Sequence, residues 1–275
     1  MHDSSLHDAP LGHEVSYPRH YDASLLFPLP RANNRQALDL PAQWHGQDIW
    51  HAYELSWLNP KGKPVVAMGR FLFDHDTPFL IESKSFKLYL NSLNETRFDH
   101  VRDLAGILLE DLRRAAGSER VEVELDLEGL RKPLLCAPLD GICIDDLDIH
   151  IDHYQPDPDL LAVVPGGPVV TETLCSDLLK SNCPVTGQPD WGSVQIRYTG
   201  PQLDRAGLLA YIVSLRRHDE FHEHCVERMY CDIRQRCRPS ALTVYARYTR
   251  RGGLDINPWR SSEPQAPKAA RQPRQ

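Results

Sequence analysis

One pattern occurs twice in this chain, and that repetition limits what it can fold into. Phe98, Val101, Ala105, Leu108 and Leu112 recur at helical spacing, and so do Phe221, Cys225, Met229 and Ile233. Each stripe is followed by alternation: Val121-Glu122-Val123-Glu124-Leu125 and Val244-Tyr245-Ala246-Arg247-Tyr248 both read as half-buried strands. A shift of 123 positions carries Phe98 onto Phe221 and Val121 onto Val244. A shorter helical run precedes each stripe, Phe86 to Leu93 and Ala206 to Leu215. Extended runs come earlier still, Asp48 to Trp57 with Pro64 to Phe73, and later Ser193 to Tyr198. The unit is strand, strand, helix, helix, strand, strand, and the expected fold class is α+β.

With 275 residues the chain is long enough for two domains of ordinary size. Residues 1–45 are rich in Pro, His, Asn and Asp and read as an arm that wraps on the surface or docks on a neighbour. A first module spans 46–150 and a second 151–260, with the Pro-rich stretch Gln155 to Pro168 at the junction. Residues 261–275 lack large apolar side chains and read as a disordered tail. The opening Met1-His2-Asp3-Ser4-Ser5 is polar, and no apolar run approaches membrane-spanning length. Seven cysteines at scattered spacings fit free thiols in a reduced cytoplasm. A net charge of −7 argues against a large nucleic-acid surface and for a small ligand.

The stretch Ser181-Asn182-Cys183-Pro184-Val185-Thr186-Gly187-Gln188-Pro189-Asp190-Trp191 places a thiol seven residues ahead of a carboxylate. Two prolines and a glycine between them forbid a regular helix and give a rigid loop. A thiolate attacks a multiple bond, and the anion left on the substrate then needs a proton, so Cys183 and Asp190 fit both tasks. A buried small hydrophobe is the other reading of the same thiol.

Three further clusters carry polar chemistry. In Ile81-Glu82-Ser83-Lys84-Ser85-Phe86-Lys87, Ser83 can cap a helix while the lysines face water. Alternatively, Glu82 accepts two parallel hydrogen bonds from a guanine-like edge, and Lys84 and Lys87 meet phosphate. In Asp219-Glu220-Phe221-His222-Glu223-His224-Cys225, Asp219 is the expected N-cap. His222 and Glu223 then lie in the first turn, whose field favours an ionised Glu223 and a neutral His222. The His and Cys offsets there do not converge on one helix face, and no Cys-x-x-Cys pair exists, so no metal is expected. Arg247, Arg250 and Arg251 with Gly252-Gly253 form a basic strand end at which backbone can approach a ligand closely. There is no Gly-x-Gly-x-x-Gly fingerprint for a Rossmann domain.

Together, Glu82 through Lys87, Ser181 through Asp190, Phe221-His222-Glu223, and Arg247 through Pro258 resemble the NADPH-dependent 7-cyano-7-deazaguanine reductases of the long, two-module kind. The resemblance runs from about residue 20 to 260. It implies tandem tunnelling-fold modules (ββααββ), with antiparallel sheets, helices packed on one face, and assembly in a homodimer. It implies reduction of the nitrile of a free deazaguanine base to the amine by two NADPH, on the route to queuosine in transfer RNA. By the same resemblance Cys183 is the nucleophile that forms a thioimidate, Asp190 the proton donor, and His222 an aid to proton transfer. Ile81, Glu82, Ser83, His222 and Glu223 are the substrate positions, and Ser83, Lys84, Arg251 and Gly252 the NADPH positions. GTP cyclohydrolase I shares this fold and binds zinc, but Thr186 stands three residues after Cys183 where that enzyme's chemistry uses His. A zinc-dependent cyclohydrolase and a non-catalytic purine- or pterin-binding module are the rival readings.

Overall fold

The computed structural model describes residues 18–132, 136–268 and 271–275. Residues 1–17 of the expected arm lie outside them. The chain has an α+β fold and divides into two compact units. One unit contains residues up to Gln36, Ile49–Leu134 and Arg250–Asp255; the other contains Ala37–Asp48, Leu135–Thr249 and Ile256–Gln275. The Pro-rich stretch 155–168 therefore falls inside the second unit.

The first unit contains β1 (Pro28–Pro30), α1 (Arg31–Arg35), β2 (His45–Leu58, from Ile49 on), β3 (Pro64–Asp74), β4 (Phe79–Ile81), α2 (Ser83–Ser92), α3 (Val101–Ala116) and β5 (Val121–Asp126). β5 pairs antiparallel with β3, setting Val121 opposite Phe73 and Leu125 opposite Gly69. Phe86 of α2 is the hub of the core, with its ring 5.0 Å from Phe71 and 5.4 Å from Trp50. Leu104, Leu108 and Leu112 supply the buried stripe of α3, whereas Val101 and Ala105 are only half-buried. The described part of the arm is tied down. β1 pairs with β4, and Phe27 accepts from the Glu82 N–H (2.9 Å) while donating to Ser85 Oγ (3.0 Å).

The second unit contains β6 (Ile142–Cys143), β7 (Val169–Ser176), β8 (Lys180–Asn182), β9 (Pro189–Pro201), α4 (Arg205–Ser214), α5 (His222–Cys237), β10 (Ala241–Tyr248) and β11 (Leu254–Ser261, from Ile256 on). β7, β9, β10 and β11 pair antiparallel in that order, and β6 runs parallel to β7. Val194, Ile196 and Tyr198 of β9 join Leu242, Val244, Ala246 and Tyr248 of β10 on one face. Period-two alternation puts these side chains together, and Leu208, Ile212, Val226, Met229 and Ile233 of the two helices close over them. The tail is held by polar contacts instead of apolar ones. Arg274 donates to the Asp177 and Gly192 carbonyls, and Gln275 Nε2 to Asn257 Oδ1.

The repeat read from the sequence has a structural counterpart in each unit. α2 and α4 are both ten residues long, and α3 and α5 both sixteen. A carboxylate caps each shorter helix, Glu82 on α2 and Asp204 on α4. Each helix pair is bolted by a buried phenol, Tyr89 OH donating to Asp111 at 2.7 Å and Tyr211 OH to Asp232 at 2.6 Å. Ser92 Oγ and Ser214 Oγ donate back to the carbonyls of those two tyrosines.

One buried charge organises the second unit. Arg260 of β11 is fully buried and pairs with Asp48 Oδ1 at 2.8 Å and Glu227 Oε1 of α5 at 2.8 Å. Removing the guanidinium leaves two buried carboxylates facing each other. Arg260→Met is expected to lower unfolding free energy by about 3–5 kcal/mol. Urea denaturation measures this, and a loss below about 1 kcal/mol would show that the carboxylates find other partners.

Candidate active site

The hairpin β8–β9 builds the thiol side of the site. Its register sets Ser181 opposite Asp190 and Asn182 opposite Pro189. Beyond that pair the Cys183 N–H donates to the Gln188 carbonyl at 2.9 Å, and the Gly187 N–H to the Cys183 carbonyl at 3.0 Å. Gly187 has φ +64°, which lets the chain turn back within five residues. Alternation then places Ser181, Cys183 and Asp190 on one face. They are 0%, 6% and 3% exposed, while Pro189 and Trp191 point to solvent. Thiol and carboxyl group share a face because of hairpin register.

His222 opens α5 and closes over this face. Its Nε2 lies 3.6 Å from Asp190 Oδ1, and its ring stands edge-on to Tyr248 with centroids 4.1 Å apart. Asp219 is not the N-cap of α5. The helix begins after Phe221, with no side-chain cap. Asp219 Oδ1 instead accepts from Asn182 Nδ2 at 3.0 Å, while the Asn182 N–H and C=O bond His218 and Glu220. That backbone pairing holds residues 218–220 extended beside β8 and delays the helix by two residues. Glu223 lies in the first turn as expected, and it is buried. Burial opposes the charge of Glu220, but His218 and Arg228 outweigh it and hold that carboxyl down at about 2.

Burial pushes the Cys225 and Cys231 thiols up to about 12 and those of Cys175 and Cys237 up to about 11. Such groups yield little thiolate at neutral pH. Among the described residues, no three His, Cys, Asp or Glu side chains converge as ligands for a metal ion. No described helix is long and apolar enough to cross a membrane.

The first unit carries the second set of candidates. Ser83 does not cap α2; Glu82 does, accepting from the Lys84 N–H at 2.6 Å and the Ser85 N–H at 2.8 Å. A longer side chain one residue earlier reaches the same free N–H groups. Burial raises the Glu82 carboxyl above the ordinary range, against the pull of those two N–H groups and of Lys87. Ile81 is buried where β4 meets β1. Arg251 and Leu254 exchange backbone hydrogen bonds around Gly252 and Gly253, whose φ angles are +55° and +77°. Two positive φ angles are what a two-residue primed turn demands. A Cβ on Gly252 would stand 3.2 Å from Lys87 Cδ, so the turn and α2 approach closely. Ser83, Lys84, Arg251 and Gly252 thus belong to one unit, while Cys183, Asp190, His222 and Glu223 belong to the other.

A family profile described as "Nitrile reductase, 7-cyano-7-deazaguanine-reductase N-term" matches residues 17–125, and one described as "QueF-like protein" matches 189–267. The NADPH-dependent 7-cyano-7-deazaguanine reductase of Bordetella pertussis is 58% identical over 267 residues, covering 96% of this chain and 97% of that protein. Its counterpart in Bordetella avium is 57% identical over 259 residues, covering 94% of each. That of Azoarcus sp. is 56% identical over 258 residues, covering 93% of this chain and 91% of the other. The chain belongs to the family of 7-cyano-7-deazaguanine reductases.

Cys183 falls between the two profile matches of this reductase family. Sequence reasoning missed Ser181 and Tyr248, which flank Asp190, and the group around Asp255. There His51 Nδ1 lies 2.8 Å from Asp255 Oδ1, Tyr53 OH donates to Asp255 Oδ2, and Arg250 lies 5.0 Å above the Tyr53 ring. Strand alternation marks such residues only as core, so their spacing carried no signal. At Gly253 an added Cβ would stand 2.6 Å from the Glu54 carboxyl. Gly253→Ala must also hold φ +77°, which costs an L-residue about 1–2 kcal/mol. Its urea midpoint is expected to fall accordingly, and an unchanged midpoint would remove the demand for glycine at this turn.

Proposed function

We propose that Cys183 is the nucleophile with which this chain carries out its family's reaction, the reduction of the nitrile of 7-cyano-7-deazaguanine to the aminomethyl group in queuosine biosynthesis. The observation that supports it is the buried face of the β8–β9 hairpin, where thiol and carboxyl are paired by register and His222 stands against the acid. Asp190 takes the thiol proton, and sulfur attacks the nitrile carbon. The triple bond opens, and Asp190 passes the same proton to nitrogen. A C–S bond has formed, and the product is a neutral thioimidate, a far better acceptor of hydride than a nitrile.

NADPH supplies one hydride for each of the two two-electron reductions. Ser83, Lys84, Arg251 and Gly252 are its proposed contacts. The fit rests on the Gly252-Gly253 turn, which presents bare backbone beside Lys87, so that cations and open N–H groups share one place. Each hydride is matched by one solvent proton delivered to nitrogen; once the carbon is tetrahedral, the C–S bond breaks and one N–H proton returns to Cys183, which leaves the imine. His222 holds the imine nitrogen and its proton until the amine forms. The buried surroundings of Asp190 keep water from the thioimidate and the imine.

Glu223 and Glu82 are proposed to accept the N–H groups of the guanine-like edge, with Ile81, Ser83 and His222 around the base. A buried carboxylate that accepts two parallel N–H bonds discriminates strongly against a ring lacking them. The matched helix pairs and their Tyr–Asp bolts support two tandem tunnelling-fold modules. Assembly in a homodimer, action on the free base without direct contact to nucleic acid, and a cytoplasmic site complete the reading. The net charge of −7 agrees with a small-molecule substrate.

Cys183→Ala mixed with the cyano-deazaguanine alone is expected to gain no mass and no near-ultraviolet band, while the parent chain gains both. An adduct of full mass on the variant would exclude Cys183. Glu223→Gln is expected to weaken base binding by tenfold or more and leave NADPH binding within about twofold, by titration of each ligand. Equal losses for both ligands would count against the assigned contact.

A further inference from the structure

Two buried hydroxyls beside the thiol have no task in the reaction as derived. Ser181 Oγ and Tyr248 OH are both inaccessible; the phenol lies beside Ser181 and the Cys225 thiol, and neither hydroxyl makes a bond of full hydrogen-bonding geometry among the described residues. Leaving a buried O–H unbonded costs about 1–3 kcal/mol. Their places in the sheet are specific. On β9, Asp190 and Gly192 lie on the core face. Ser181 of β8 is directly across from Asp190 on one side, and Tyr248 of β10 is across from Gly192 on the other. The carboxyl of Asp190 is therefore flanked by an O–H group from each neighbouring strand. Gly192 makes room for the phenol ring, since a Cβ there would stand 3.1 Å from Tyr248 Cδ1. His222 stands edge-on to the same ring, with centroids 4.1 Å apart.

We propose that Tyr248, together with Ser181, is a positioning residue for the Asp190–His222 pair. The ring holds His222 toward Asp190, and the two hydroxyls turn to donate to the Asp190 carboxylate in the steps when its proton is away. The inference rests on the assignment of Cys183 and Asp190 above. Burial and the neighbouring Cys225 hold the Tyr248 phenol well above its ordinary range, so it stays protonated and acts only as a donor. The ionisable groups facing the pair are Lys180 of β8, Cys183 of the hairpin loop, Tyr248 of β10, and Glu223 and Cys225 of α5, with Glu220 and Arg228 acting at longer range. Asp190 begins the cycle as the base that accepts the thiol proton. Losing a donor to its carboxylate makes it hold a proton to higher pH.

The test follows the rate of adduct formation with the cyano-deazaguanine across pH in the full-length chain, by near-ultraviolet absorbance and mass. Tyr248→Phe keeps the ring and removes only the hydroxyl. The expected result is an adduct rate about tenfold lower at neutral pH, an acid limb moved to higher pH, and base binding unchanged within about twofold. Ser181→Ala is expected to move the same limb in the same direction, and it carries the test alone if Tyr248→Phe does not fold. An adduct that forms at the parent rate with the parent acid limb in the folded variants would overturn the inference and leave Cys183 in place. Absence of any adduct on the parent chain would overturn the nucleophile assignment and this inference with it.

Discussion

The position of α5 decides whether His222 meets Asp190, and α5 is fixed by charge at Glu227. The Arg260 guanidinium bonds Glu227 through Nε and Nη2, pairs with Asp48, and donates to the Trp259 carbonyl. Nothing apolar replaces such a contact geometrically, because a planar fork accepts only one orientation of each carboxylate. His222 stands one and a half turns before Glu227 on the same helix. A rotation of α5 that moved His222 away from Asp190 would pull Glu227 off the Arg260 guanidinium. The cost of breaking that buried ion pair is thereby set against loosening of the site.

Carboxyl groups near the helix starts show how environment divides one side chain among several tasks. Glu220 is buried, yet His218 and Arg228 keep it ionised far below the ordinary range. It serves as an anchor for the loop that enters α5. Glu82 is buried with two backbone N–H groups, a nearby lysine and the Ser83 hydroxyl to stabilise the charge, and burial prevails. A carboxyl poised in that way can bond a ligand's N–H edge or hold a proton of its own. Asp232 is raised by burial despite the Tyr211 hydrogen bond and is confined to bolting α4 to α5.

The helices and the longer strands were legible because their burial follows a single period. The stripe Phe221, Cys225, Met229, Ile233 falls on α5, and Val244 through Tyr248 falls inside β10. β11 was not legible as a strand. It is buried along its whole length but reads Leu-Asp-Ile-Asn-Pro-Trp-Arg-Ser, with no alternation. Its charged and hydroxyl groups are buried against partners: Asp255 meets His51 and Tyr53, Arg260 meets two carboxylates, and Ser261 meets Thr243. Pairing of this kind depends on residues up to about two hundred positions away, which no local window contains. Capping failed for a related reason. Glu82 caps α2 in place of Ser83 because Phe27, from the arm, already binds the Glu82 N–H and Ser85 Oγ. The thiol and acid were legible as candidates from their spacing, but the shared face needed the register of the hairpin.

The two units share some contacts and differ in others. The Tyr–Asp bolt, the Ser-to-carbonyl bond and the carboxylate cap occur in both units, so they belong to the scaffold. The units diverge ahead of the second long strand of each repeat. In the first unit β2 and β3 are joined by the turn Asn59–Lys63, closed by the Asn59 N–H on the Lys63 carbonyl. In the second, β7 is followed by β8 and the Cys183 loop before β9 begins. A short extra strand paired along β9 adds a hairpin without disturbing the helices behind it, because it docks on backbone already presented by the sheet. The thiol therefore lies in the segment that the scaffold can change at least cost. Asp190, which the hairpin sets on the same face, lies on a strand that the helices α4 and α5 hold in place.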